Sequence, residues 1–101
     1  DGRGATIWKQ QNMIGDIVPA DQTAVPGNAW CTNLNNIFGG WDKKVRSLVV
    51  QDGYKCQFYT EYDCPTAGLY LDLGSKDDLV LQPTLTADFD LKIHSVFCAA
   101  I

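Results

Sequence analysis

The chain has little of what catalytic and metal centres are usually built from. Among its 101 residues there is one histidine and one methionine, and no two cysteines stand in a C-x-x-C spacing. A lone His94 excludes a multi-histidine metal cluster, and without a C-x-x-C pair two disulfides are favoured over a zinc site. Cations are scarce as well: eight Lys and Arg stand against twelve Asp and Glu, for a net charge of −4. That balance argues against nucleic acid or an anionic bilayer as partner, since both call for a basic surface. No apolar run approaches the roughly 20 residues that span a bilayer, so no membrane insertion is expected. There is no Asn-x-Ser/Thr sequon, which removes N-glycosylation. Helical periodicity is weak, and at most one turn fits near residues 33–38.

What the chain does have is enough apolar residue for one modest core: 46% hydrophobic against 20% charged, which is globular and not disordered. Four cysteines, Cys31, Cys56, Cys64 and Cys98, are an even number in a short chain, the mark of a disulfide framework. Asp1 opens the chain with no Met and no targeting segment, so a processed, secreted, extracellular form is expected. Four cysteines allow three pairings, and the residues alone leave all three open.

The strongest signal is internal. Asp42-Lys43-Lys44-Val45-Arg46-Ser47-Leu48-Val49-Val50 and Asp90-Leu91-Lys92-Ile93-His94-Ser95-Val96-Phe97-Cys98 stand 48 positions apart with Asp, a β-branched residue and Ser in one register. Each reads as a polar turn entering a strand. Ala5–Trp8, Trp30–Thr32, Tyr54–Tyr62, Leu69–Leu73 and Leu79–Leu81 are further short strands. Residues 16–29 carry Pro19, Pro26 and Gly27 and read mostly as loop. Gly39-Gly40, Gln51-Asp52-Gly53, Cys64–Gly68 and Gly74–Asp78 are turns. Short strands with turns every eight to twelve residues predict an all-β antiparallel sandwich.

The halves also match at their openings. Trp8-x4-Met13-x-Gly15 returns 51 positions later as Tyr59-x4-Cys64-x-Thr66, with Gly68 nearby. An aromatic, four residues, an aromatic, one more and Gly, closed by a Ser-bearing strand, resembles the βγ-crystallin Greek-key motif. The resemblance covers nearly the whole chain and is similar to the small, secreted, single-domain members found in fungi. It implies one domain over 1–101, with motif one at about 1–52 and motif two at about 53–101. Met13, Cys64 and Thr66 depart from the pattern. Trp8 and Tyr59 would pack under the folded-back hairpins, Gly15 would permit the first fold, and Ser47 and Ser95 would each bond to a hairpin.

Many such domains bind calcium through Asn/Asp-Asn/Asp-x-x-Ser/Thr-Ser. Calcium takes six to eight oxygens, so the second and fifth positions matter. Here they are Lys43 and Arg46 in one window, Leu91 and His94 in the other; only Asp42, Ser47, Asp90 and Ser95 remain. The sites read as degenerate, and neither a metal nor another cofactor is expected. For the disulfides, the resemblance puts the strand near Cys31 beside the strand of Cys98, and Cys64 over the strand of Cys56. It favours Cys31–Cys98 with Cys56–Cys64, and Cys56–Cys98 as the rival; the longer Cys31–Cys98 loop would then matter more to stability.

Other candidates are weighed against ordinary roles. His94 would need partners to serve a Ser–His–Asp triad, and a half-buried His beside a turn is the plainer reading. Glu61, Asp63, Asp72, Asp77 and Asp78 contain material for a glycosidase pair, but carboxylates at turns are commonplace. Trp30 and Trp41 are expected to pack in the core or at an edge more than to line a surface. The reading is a non-enzymatic, structural or storage-like secreted protein. The alternative is a toxin, antimicrobial, effector or protease inhibitor that meets a protein target through the 16–29 loop.

Overall fold

Alternation of buried and exposed positions along short Val-, Ile- and Phe-rich segments gives strands with one face for a core. In the computed structural model, which describes residues 2–101, these are β1 (Arg3–Trp8), β2 (Gln22–Pro26), β3 (Asn28–Asn33), β4 (Ser47–Val50), β5 (Tyr54–Tyr59), β6 (Tyr70–Ser75), β7 (Val80–Gln82) and β8 (Ser95–Ala100). A single helical turn at Leu34–Asn36 and a tight turn at Gln11–Met13, whose Asn12 is not helical, complete the set. All pairings are antiparallel.

The strands form two four-stranded sheets, ordered β2-β1-β4-β7 and β3-β8-β5-β6. Each sheet takes three strands from one half of the chain and one from the other, β7 crossing one way and β3 the other. Neither half is a sheet by itself. Between the layers lie Ile7, Leu48, Val50, Phe58, Val96 and Ile93, all fully buried, with Trp41 and Leu34 closing the end of the core. Side chains of this size each stabilise the fold by about 1.5–3 kcal/mol when fully buried.

The repeat extends to the backbone. Asn12 and Met13 (φ +62 and +54) are matched by Asp63 and Cys64 (φ +67 and +48), and Lys43 by Leu91, both at φ +59. Non-glycine residues adopt this left-handed region infrequently, so three coincidences at repeat positions mark one local design used twice.

Three sequence expectations need correction. The stretch 16–29 is not mostly loop: Thr23 and Val25 pair with Ile7 and Ala5, making β2 an edge strand. Pro26 ends it, where a missing N–H costs no central ladder bond. The positive φ of the first hairpin is not confined to Gly15 (φ +159): Asn12 and Met13 carry it too, and a Cβ at Gly15 would lie 3.1 Å from that of Asp21, which would have to give way. Trp41 is fully buried, but Trp30 is 74% exposed. The β3–β8 register slips between Asn28 and Cys31, with Ala29 at φ +61, and this bulge turns the Trp30 side chain out.

The disulfides are the fourth correction: they are Cys31–Cys64 and Cys56–Cys98, not Cys31–Cys98 and Cys56–Cys64. The strand neighbours that the resemblance implied are present, but side-chain parity decides the partners. Cys31 is the register partner of Phe97 and shares its outer face, whereas Cys98, next along the strand, points into the core. Cys56 and Cys98 are direct cross-strand partners with Cα atoms 4.1 Å apart, both fully buried. Cys64 rides on the hairpin folded over the outer face, within reach of Cys31. Two cysteines point in and two point out, and each pair joins on its own side.

Candidate functional site

The aromatic that ends the first strand of each half faces the serine that begins its last: Trp8 pairs with Ser47 and Tyr59 with Ser95. Both serines are fully buried. Ser47 Oγ accepts from the Met13 N–H at 3.0 Å and donates to the Gln10 carbonyl at 2.5 Å. Ser95 Oγ accepts from the Cys64 N–H at 3.1 Å and donates to the Glu61 carbonyl at 2.5 Å. Gln10 and Glu61, like Met13 and Cys64, are repeat-equivalent. Each hydroxyl therefore clamps a hairpin to the strand beneath it. Replacing Ser47 or Ser95 by Ala leaves a hairpin N–H and a carbonyl unpaired and is expected to cost about 1–3 kcal/mol. Ser75, whose hydroxyl accepts only from exposed backbone of Asp77 and Asp78, is the control and should lose less. Equal losses in urea melts of the three variants would contradict the clamp.

Just before these serines the two Asp windows lie against one another. The Lys43 N–H donates to the Ile93 carbonyl at 3.1 Å and the Leu91 N–H to the Val45 carbonyl at 3.2 Å, a reciprocal pair. The side chains repeat the exchange. Arg46 Nε and Nη2 each donate to Asp90 at 3.0 Å, a two-pronged bond. His94 Nδ1 lies 2.6 Å from Asp42 Oδ1, and the Tyr62 hydroxyl donates to Asp42 Oδ2 at 2.5 Å. The Tyr62 ring rests on the imidazole with centroids 4.4 Å apart. Thus the fifth residue of each window pairs with the first residue of the other.

These contacts set the charge states. Burial works against ionisation of Asp42, but the bonds from Tyr62 and His94 outweigh it and hold the carboxyl below its ordinary 3.8. The bond to Asp42, then burial, pushes the Tyr62 phenol above 10. A depressed carboxyl stabilises the fold above pH about 4 and loses that contribution as pH falls through its folded value. A raised phenol stabilises below pH about 10 and loses it on further rise. Asp42→Asn should therefore soften the acid limb of the stability profile and Tyr62→Phe the alkaline one. Unchanged limbs in denaturant melts across pH would contradict the assignment.

As a calcium cage the windows do not fit. Position two offers an ammonium or an aliphatic chain, position five a guanidinium or imidazole, and both first-position carboxylates are already bonded. Among the described residues no group of three or more His, Cys, Asp or Glu side chains is placed to hold a metal.

The catalytic candidates are not brought together. His94 does meet an aspartate, which sequence reasoning missed because the partner lies 52 positions away, yet Ser47 and Ser95 are committed to hairpins. Asp72 faces Lys55 at 3.5 Å on the β5–β6 ladder, Asp77 and Asp78 sit in the turn after β6, and Glu61 and Asp63 in the second hairpin. A shallow depression of about 280 Å³ on the outer face of the β3-β8-β5-β6 sheet is lined by Lys55, Gln57, Phe97, Ala99, Ala100 and Ile101, with no acid–base pair.

A second feature is the loop between the first hairpin and β2. Trp41 Nε1 donates to the Pro19 carbonyl at 2.8 Å, Lys9 donates to the Gly39 carbonyl, and the Asp16 N–H bonds Asp21 at 3.2 Å. Gly39 approaches the Pro19 carbonyl so closely that a Cβ would lie 2.3 Å from its oxygen. On this braced base Ile17 is 90% exposed and Phe38 84%.

At the level of sequence alone, neither a family model nor a curated protein matches the chain. Structure is different. A βγ-crystallin domain from Flavobacterium johnsoniae superposes with a TM-score of 0.71 at 19% identity, over 96% of this chain and 94% of that one. One from Clostridium beijerinckii gives 0.71 at 16%, over 98% and 100%. The N-terminal domain of protein S gives 0.72 at 14%, over 96% of each. The chain has the βγ-crystallin fold across its whole length.

Proposed function

We propose that the chain is a secreted, non-catalytic structural or storage-type βγ-crystallin protein, a single domain of two motifs whose calcium windows are degenerate. The observation that carries this reading is the pair of carboxylates, Asp42 and Asp90, each already bonded to a side chain of the opposite window. Two disulfides, one buried and one at the surface, fit an oxidising extracellular setting. Millimolar calcium should leave the melting temperature unchanged, because a ligand stabilises only by binding the native state. A rise of several degrees that EDTA reverses would sink the reading.

The second reading, an effector, toxin or inhibitor with a protein target, draws on the braced Ile17–Pro19 loop beside Phe38. Exposed aliphatic and aromatic side chains on a pre-organised backbone are what a docking loop needs. Abundant protein with no effect on competing microbes or extracellular proteases favours the structural reading. Inhibition that Ile17→Asp abolishes, with the melting temperature unchanged, favours the other.

A further inference from the structure

The two windows are not merely stripped of metal ligands; they carry replacements. We propose that Arg46 and His94 are resident donors of this fold, each taking the place of a divalent ion opposite the first carboxylate of the other window, so that the two halves are locked without metal. The proposal rests on the degenerate-window reading above. Its support is the exchange symmetry: two side-chain pairs, Arg46 to Asp90 and His94 to Asp42, and two backbone bonds, Lys43 to Ile93 and Leu91 to Val45, related by the 48-residue repeat. Loss of ligands by drift would leave arbitrary residues at position five. Instead both residues there donate to a carboxylate, and each finds the repeat-equivalent one.

The two locks differ in build. Arg46 uses both carboxylate oxygens through a planar fork, so nothing further is needed at Asp90. His94 engages one oxygen of Asp42, and Tyr62, from the second hairpin, fills the other. That hairpin is itself tied to β3 by the Cys31–Cys64 bridge and by Asn33, whose side chain bonds Asp63 twice at 2.8 Å. The imidazole lock thus recruits a third element, which keeps Tyr62 in position.

The test is a pair of double-mutant cycles read as urea midpoints, each run with about 5 mM calcium and with EDTA. One cycle is Arg46→Met with Asp90→Asn; the other is His94→Leu with Asp42→Asn. Expected: every single variant lowers the midpoint, each double variant falls no further than its worse single, and Arg46→Lys recovers part of the loss. Calcium should change none of these midpoints. Additive single-variant losses would overturn the resident donors while leaving the degenerate-window reading intact. A calcium-dependent rise in the unaltered protein would overturn both.

Discussion

Replacing Cys56 and Cys98 together by alanine is expected to lower the melting temperature by on the order of 20 °C. The bridge closes a loop of 42 residues, and in the chain-entropy model such a cross-link stabilises by roughly 4 kcal/mol. In a domain of this size each kcal/mol moves the midpoint by about 4–8 °C. Both cysteines are fully buried against the first strand, where Cys56 Sγ lies 3.6 Å from the Gly4 carbonyl. Their loss therefore also removes packing. The outer bridge closes 33 residues and has nearly the same entropic worth, but Cys31 is exposed and no core packing depends on it. The Cys31→Ala/Cys64→Ala variant should lose less, and mild thiol reductant should open the outer bridge first. Equal losses, or earlier reduction of the inner pair, would contradict this placement.

Trp41→Ala is the second large effect, about 3–5 kcal/mol, the range for emptying a buried aromatic site. Trp41 is fully buried, its indole donates to the Pro19 carbonyl, and the Lys9 ammonium lies 4.9 Å from its ring centroid. It joins the first window to the 14–21 loop as well as filling the core. Trp41→Phe separates these roles. Phenylalanine keeps much of the volume but leaves Pro19 unbonded, so stability should fall modestly while proteolysis within residues 16–21 speeds up. A Trp41→Phe protein cut no faster than the parent would mean that the loop is held by something else.

The two-motif sandwich was legible because it is written twice, and the repeats of Asp, Ser and the opening aromatic survive as equivalent bonds. Ser47 and Ser95 were legible as hairpin partners for the same reason. Strand β2 was hidden by Pro26 and Gly27, which punctuate a loop but here only end an edge strand. The disulfides were misassigned because neighbouring strands were inferred without their parity; one position along β8 separates the core-facing Cys98 from the outward Phe97. The exchange between windows was not visible at all. Arg46 and His94 read as the loss of calcium donors, and only the antiparallel approach of the two windows makes them partners of Asp90 and Asp42. Exposure of Trp30 depends on a bulge at Ala29 that no local composition announces.

Two interleaved halves, with two cysteines facing the core and two facing out, are tested most directly by peptide mapping of the unreduced protein. Digestion should release one fragment pair joining Cys31 to Cys64 and another joining Cys56 to Cys98. A fragment joining Cys31 to Cys98, or Cys56 to Cys64, would contradict the strand register on which the clamps and the window exchange depend.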